Sequence, residues 1–215
     1  MRAFVFALLL AGLPAQAQHA AAVTILERRQ LALDPGAQTS APALQLTLAI
    51  LEGSGWEPAP IEAALRQSAR ILGQCGIALA PAELLRIGAP ARFLDFYVPW
   101  SRELAHTLAL AKPTIYFVAG TRQRPAFDAE AIGWSNSRTR PELTDTVWVT
   151  RATRDLGIAL AHELAHVLMD SGEHSIEPGN LMNAETAPEN TRLSREQCER
   201  LSSNAKANGL LRPAK

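Results

Sequence analysis

Residues 153–182, TRDLGIALAHELAHVLMDSGEHSIEPGNLM, hold three of the five histidines of the chain. His162 and His166 are four apart with Glu163 after the first, an H-E-x-x-H pattern. On a helix, positions i and i+4 share one face a turn apart, so both imidazoles can reach one metal ion. A glutamate between them lies along the same cleft, where its carboxylate can take a proton from water held by that ion. A metal site of this kind needs at least a third protein ligand. His174, eight residues after His166 and just past Gly172, is the first candidate, with Asp170, Glu173 and Glu177 as competitors. Zinc, one ion per chain, is the default for imidazole-rich ligation, although nitrogen ligands alone also suit other transition metals.

The ligands need a helix, and the sequence supplies its signals. Leu156, Leu160, Leu164, Val167 and Leu168 recur at helical spacing and form a core face. Thr153 or Thr150 is the expected N-cap, and Asp155 suits the positive end of the helix dipole. No proline interrupts residues 142–177. Gly172 is the expected C-cap residue, which ends the helix near Asp170 or Ser171. Without a third ligand, the same residues read as a surface or core helix that happens to carry two histidines.

Asn180-Leu181-Met182 follows. With it, the sequence resembles the metzincin clan of zinc peptidases, whose pattern is H-E-x-x-H-x-x-G-x-x-H and then a tight turn with a methionine beneath the metal. His162, Glu163, His166, His174 and Met182 match those roles in order. The spacing is longer here: the glycine comes six residues after His166 rather than three, and the third histidine eight after it rather than six. No tyrosine follows Met182, so the tyrosine ligand of some astacin-like and serralysin-like members has no counterpart. The resemblance implies an α/β (α+β) fold, in which a twisted mixed sheet carries an active-site helix and a C-terminal helix. It implies zinc-dependent hydrolysis of a peptide or protein substrate, with His162, His166 and His174 as ligands, Glu163 as general base and Met182 in support. It also makes residues 131–135 the edge strand that pairs with an extended substrate. Two other readings stay open. A gluzincin-like site would take its third ligand from Glu185, Glu189, Glu196 or Glu199. A non-catalytic zinc-binding module would close the fourth position with Asp170, Glu173 or Glu177. Met182 taken alone also reads as a gap-filling core methionine.

The other elements fit one domain. Strands are expected within residues 22–27, over 44–50 as a half-buried alternating strand, within 76–87 with a break at Pro81, over 114–119, at 131–135 and over 145–150. A helix is expected over Pro58–Gln74, with Ile61, Leu65, Ser68, Ala69 and Leu72 on its inner face, and a short one over Ser101–Ala111 carrying a lone His106. Leu193-Ser194-x-x-Gln197 opens a last helix through a capping box. Pro35-Gly36 marks a turn, His19 has no assigned role, and the RPAK tail is expected to fray.

Residues 1–17 read as a secretory signal peptide: Arg2, the apolar run 3–13, then Ala15-Gln16-Ala17 as a cleavage site. The expected product is residues 18–215, secreted or periplasmic, with no membrane anchor after cleavage. Lys plus Arg and Asp plus Glu both number 21, so the charge balance gives no footprint for nucleic acid. Cys75 and Cys198 are the only cysteines, and in an oxidising compartment a bridge between them would tie an early helix to the last.

Overall fold

The computed structural model of the chain describes residues 22–33, 41–133 and 138–212. The signal peptide, His19, the Pro35-Gly36 turn, Trp134-Ser135 and residues 213–215 lie outside the described residues. In chain order the elements are β1 (Thr24–Leu31), β2 (Ala43–Leu44), β3 (Thr47–Leu51), α1 (Pro58–Leu72), β4 (Ala78–Leu79), β5 (Ala82–Gly88) and β6 (Asp95–Phe96). They continue with α2 (Val98–Leu108), β7 (Thr114–Phe117), β8 (Gly120–Thr121), β9 (Ala129–Ile132), β10 (Thr146–Val149), α3 (Leu156–Met169), α4 (Arg195–Ala207) and β11 (Leu211–Arg212).

Six strands form the main sheet in the order β1-β5-β3-β7-β10-β9. The four inner strands run parallel, and β1 and β9 pair antiparallel at the two edges. This is the mixed α/β sheet expected. One face carries a core shared with α1 and α3, including Leu48, Ile50, Val147, Leu160 and Leu164. The other face carries a second core built on Leu51, Phe96, Leu104, Tyr116 and Trp148. The Tyr116 and Trp148 rings stack there at 4.1 Å.

Two expectations on burial need correction. β3 alternates as expected, but it is not half-buried: all five of its residues are buried. It is an inner strand covered on both faces, and small Ala49 fills the side that alternation assigned to solvent. The helix α3 is likewise more than amphipathic, because every residue from Gly157 to Met169 is buried. A helix that is apolar nearly all round must be covered on all sides. Here α1, the sheet and α4 cover it.

Gly157 is what lets α1 and α3 approach. A Cβ added there would lie 2.3 Å from Oε1 and 2.7 Å from Cβ of Gln67. The Ser68 hydroxyl, also on α1, donates to the Gly157 carbonyl at 2.8 Å. The helix α1 runs on into a 3-10 turn, Gly73–Cys75, where Cys75 forms a disulfide with Cys198 of α4 across 123 residues of sequence. That bridge joins the two elements flanking α3, as the cysteine count suggested.

Gly157→Val is expected to destabilise the fold by about 1–3 kcal/mol through overpacking against α1. Gly172→Ala, where an added Cβ meets nothing within 4 Å, is expected to leave stability unchanged. Thermal unfolding of both variants checks the pair. Equal melting temperatures would contradict this account of the α1–α3 contact.

Candidate metal centre

The helix α3 begins at Asp155, which has a left-handed backbone (φ 43°) and makes no side-chain cap. The expected threonine caps are used elsewhere: both the Thr150 and Thr153 hydroxyls donate to the Asp128 carbonyl, fastening the helix entry to the segment before β9. The helix ends at Met169, and the left-handed residue that stops it is Asp170 (φ 49°), not Gly172. Aspartate is one of the few non-glycine residues that tolerate this conformation. The Asp170 N–H donates to Val167 O at 3.2 Å and the Ser171 N–H to His166 O at 3.1 Å, the two bonds of a Schellman turn.

That turn has a chemical consequence. It swings the Ser171 carbonyl back to His166 Nδ1, 2.6 Å away. On the same face, His162 Nδ1 lies 2.8 Å from the Leu181 carbonyl. A carbonyl oxygen can only accept, so in each neutral ring Nδ1 carries the proton and Nε2 keeps its lone pair. The chain then returns through Gly172 and Glu173, where Arg200 of α4 pairs with Glu173 at 2.7 Å. His174 follows, and its segment is fixed by the Ser175 N–H donating to Met182 O at 2.7 Å.

The three rings therefore converge. His166 Nε2 lies 2.9 Å from His162 Nε2 and 3.2 Å from His174 Nε2. With Nδ1 protonated in His162 and His166, their Nε2 atoms cannot hydrogen-bond to each other, and their lone pairs need a shared electrophile. Zinc–nitrogen bonds of about 2.0–2.1 Å in a tetrahedron separate ligand atoms by roughly 3.3 Å. The donor set therefore fits zinc. Among the described residues, these three histidines are the only metal-binding group of three or more such side chains. His162 and His166 are buried and His174 is exposed, so the site is enclosed below and open on one side. Burial, then the neighbouring His162, pushes His166 down to about 4, with the Ser171 carbonyl opposing. His162 is lowered too, chiefly by burial.

Glu163 faces the same cleft. A cavity of about 330 Å³ is lined by the three histidines, Glu163, Ser171, Gly172, Ala184 and the strand residues Ala129, Glu130, Ala131 and Gly133. Burial pushes the Glu163 carboxyl up to about 8, the charge of Glu130 adds to this, and a hydrogen bond from the Ala131 backbone opposes it. Strand alternation puts the Glu130 side chain on the face of its partner Trp148, away from α3. Met182 is buried, in the same core as Leu164, Leu168 and Leu181.

The competing residues take no part. Glu173 is held by Arg200, and Glu177, Glu185, Glu189, Glu196 and Glu199 are exposed and outside the cluster, as is His106 on α2. The partners orienting His162 and His166 are the main-chain carbonyls of Leu181 and Ser171. No side-chain pattern announces a carbonyl. The Asn180–Gln197 side-chain pair behind the Met182 turn was also missed.

No family model matches the sequence, and no curated protein matches it. Solved structures do. Metalloproteinase-II from Bacteroides fragilis aligns at 18% identity and a TM-score of 0.55, covering 81% of this chain and 56% of that one. This chain therefore spans little more than half the length of that protein. Archaemetzincin from Methanopyrus kandleri aligns at 15% identity and a TM-score of 0.47, covering 81% of this chain and 99% of that one. The first likeness is one of fold: this chain has the mixed α/β architecture of a solved metalloproteinase. The metzincin resemblance of the motif agrees with it.

His174→Ala is expected to reduce bound zinc well below one ion per chain after dialysis, whereas His106→Ala retains it. Metal content by mass spectrometry checks both, and full zinc retention in His174→Ala would contradict the three-histidine site.

Proposed function

We propose that this chain is an exported zinc-dependent peptidase that cleaves peptide or protein substrates within the chain, with His162, His166 and His174 as ligands and Glu163 as general base. The observation that carries the reading is the convergence of three Nε2 lone pairs in a cleft that also contains a buried carboxylate. Zinc in such a site acidifies a water molecule and polarises a carbonyl. The Glu163 carboxylate would accept the proton of the attacking water and return it to the departing amide nitrogen. Burial alone favours the protonated form of this carboxyl, and the positive charge of a bound metal would favour the carboxylate that a base needs. The α3 backbone keeps Glu163 and the first two ligands in one rigid unit.

Substrate would lie along β9. Among the described residues this strand is at one edge of the sheet, pairing only with β10. An extended peptide can add to such an edge through main-chain hydrogen bonds. Export is supported by the leader-like residues 1–17 and by the Cys75–Cys198 bridge, which suits an oxidising compartment. A closed, non-catalytic zinc site would need a fourth ligand, and the described residues bring no fourth histidine, cysteine or carboxylate into the cluster.

Glu163→Gln is expected to keep zinc at the wild-type level and to lower peptide hydrolysis by about 10²–10⁴-fold, the usual weight of a general base. Cleavage of a fluorogenic peptide library, run beside a metal assay, reads both quantities. Hydrolysis at the wild-type rate in that variant would remove Glu163 from the mechanism.

A further inference from the structure

Behind the metal centre lies a second hydrogen-bonded cluster that none of the chemistry above uses. Asn180 is buried, yet it is polar and sits in the turn before Met182. Its Nδ2 donates to Gln197 Oε1 at 3.0 Å, and Gln197 Nε2 donates back to Asn180 Oδ1 at 3.1 Å. The two side-chain amides thus form a reciprocal pair. Asn180 Oδ1 also accepts from the Met182 N–H at 2.9 Å, which pins the turn to its own side chain. Gln197 Oε1 also accepts from the Ser194 N–H at 2.8 Å, while the Ser194 hydroxyl accepts from the Gln197 N–H at 3.1 Å. The capping box of α4 and the Met182 turn therefore share one glutamine. The next residue, Cys198, is bonded to Cys75 at the end of α1.

The turn held in this way touches one of the three histidines and the segment that carries another. The Leu181 carbonyl, between Asn180 and Met182, orients His162 through Nδ1. The Met182 carbonyl accepts from Ser175, the residue after His174. A shift of the turn would move both contacts together, whereas His166 is oriented independently by Ser171 within the helix exit. Partners beyond the ligands themselves commonly set metal affinity, because they fix ring orientation and tautomer.

We propose that Gln197 is a positioning residue for the metal site: through Asn180 it sets the Met182 turn, and the turn sets His162 and His174. The proposal rests on the metal-centre reading above. It assigns α4, which supplies no ligand, the task of holding two of them in register.

The substitution Gln197→Glu separates this role from helix stability. Glutamate at this position still accepts from Ser194, so the capping box survives. It loses the donation to Asn180 Oδ1 and sets a carboxylate oxygen against that oxygen instead. Gln197→Ala removes both functions. On the full mature chain, zinc affinity is measured by competition with a chelating dye, the cobalt-substituted absorption spectrum is recorded, and the melting temperature of the metal-free protein is taken. The expected result is a loss of zinc affinity of about tenfold in both variants, the low end for partners outside the ligand shell. An altered cobalt spectrum should accompany it, with the metal-free melting temperature of Gln197→Glu above that of Gln197→Ala. Wild-type affinity and spectrum in Gln197→Glu would overturn the proposal, as would a loss seen only in Gln197→Ala and matched by a fall in its melting temperature. A wild-type chain that binds no zinc would instead overturn the metal-centre reading, and this proposal with it.

Discussion

Two hydrogen bonds from ring nitrogen to backbone carbonyl govern this structure. Leu181 O and Ser171 O hold the Nδ1 protons of His162 and His166, which leaves the Nε2 lone pairs of those rings facing each other across 2.9 Å. Lone pairs at that distance repel unless an ion lies between them. The arrangement survives only if the backbone on either side cannot relax, so the rest of the fold reads as a set of restraints on two carbonyls and one helix.

The restraints differ in kind. The helix α3 is fixed by burial: thirteen consecutive residues, Gly157 to Met169, are out of solvent, and Gly157 removes the side chain that would hold α1 off. The Ser171 carbonyl is fixed by local geometry, because the left-handed Asp170 admits one continuation of the helix end. The Leu181 carbonyl is fixed at long range, by a turn hydrogen-bonded to Arg192 and to α4. His174 alone rides on an exposed segment. The two buried histidines fix most of the candidate site, and the exposed third leaves the cleft open towards the β9 edge. Burial also favours unprotonated imidazoles, the form a metal needs.

The parts legible in the sequence were those with a period or a spacing. The H-E-x-x-H helix, the later histidine, the strand and helix order and the Ser194–Gln197 capping box follow from side-chain patterns, and the disulfide from cysteine count. What escaped has no such pattern. The burial of β3 on both faces depends on a second core assembled by Phe96 and Trp148, far away in sequence. The end of the helix near Asp170 was legible, but not that Asp170 itself is the left-handed stop, because glycine two residues later carries the stronger statistical signal. The Thr150 and Thr153 hydroxyls bind the Asp128 carbonyl, a tertiary contact that outcompetes the local cap. The orienting carbonyls of Ser171 and Leu181 belong to the main chain, which every residue shares. The longer interval to His174 has a physical reading as well. The Schellman turn and the Glu173–Arg200 pair take up the extra residues while the third ring still reaches the other two.

The most direct test is X-ray absorption at the zinc edge of the mature, zinc-loaded protein. The account predicts three imidazole nitrogens at about 2.0–2.1 Å and one further light-atom ligand that exchanges with solvent and is displaced by an added hydroxamate. A shell of two imidazoles, or one closed by a fourth protein side chain and unchanged by the hydroxamate, would contradict it.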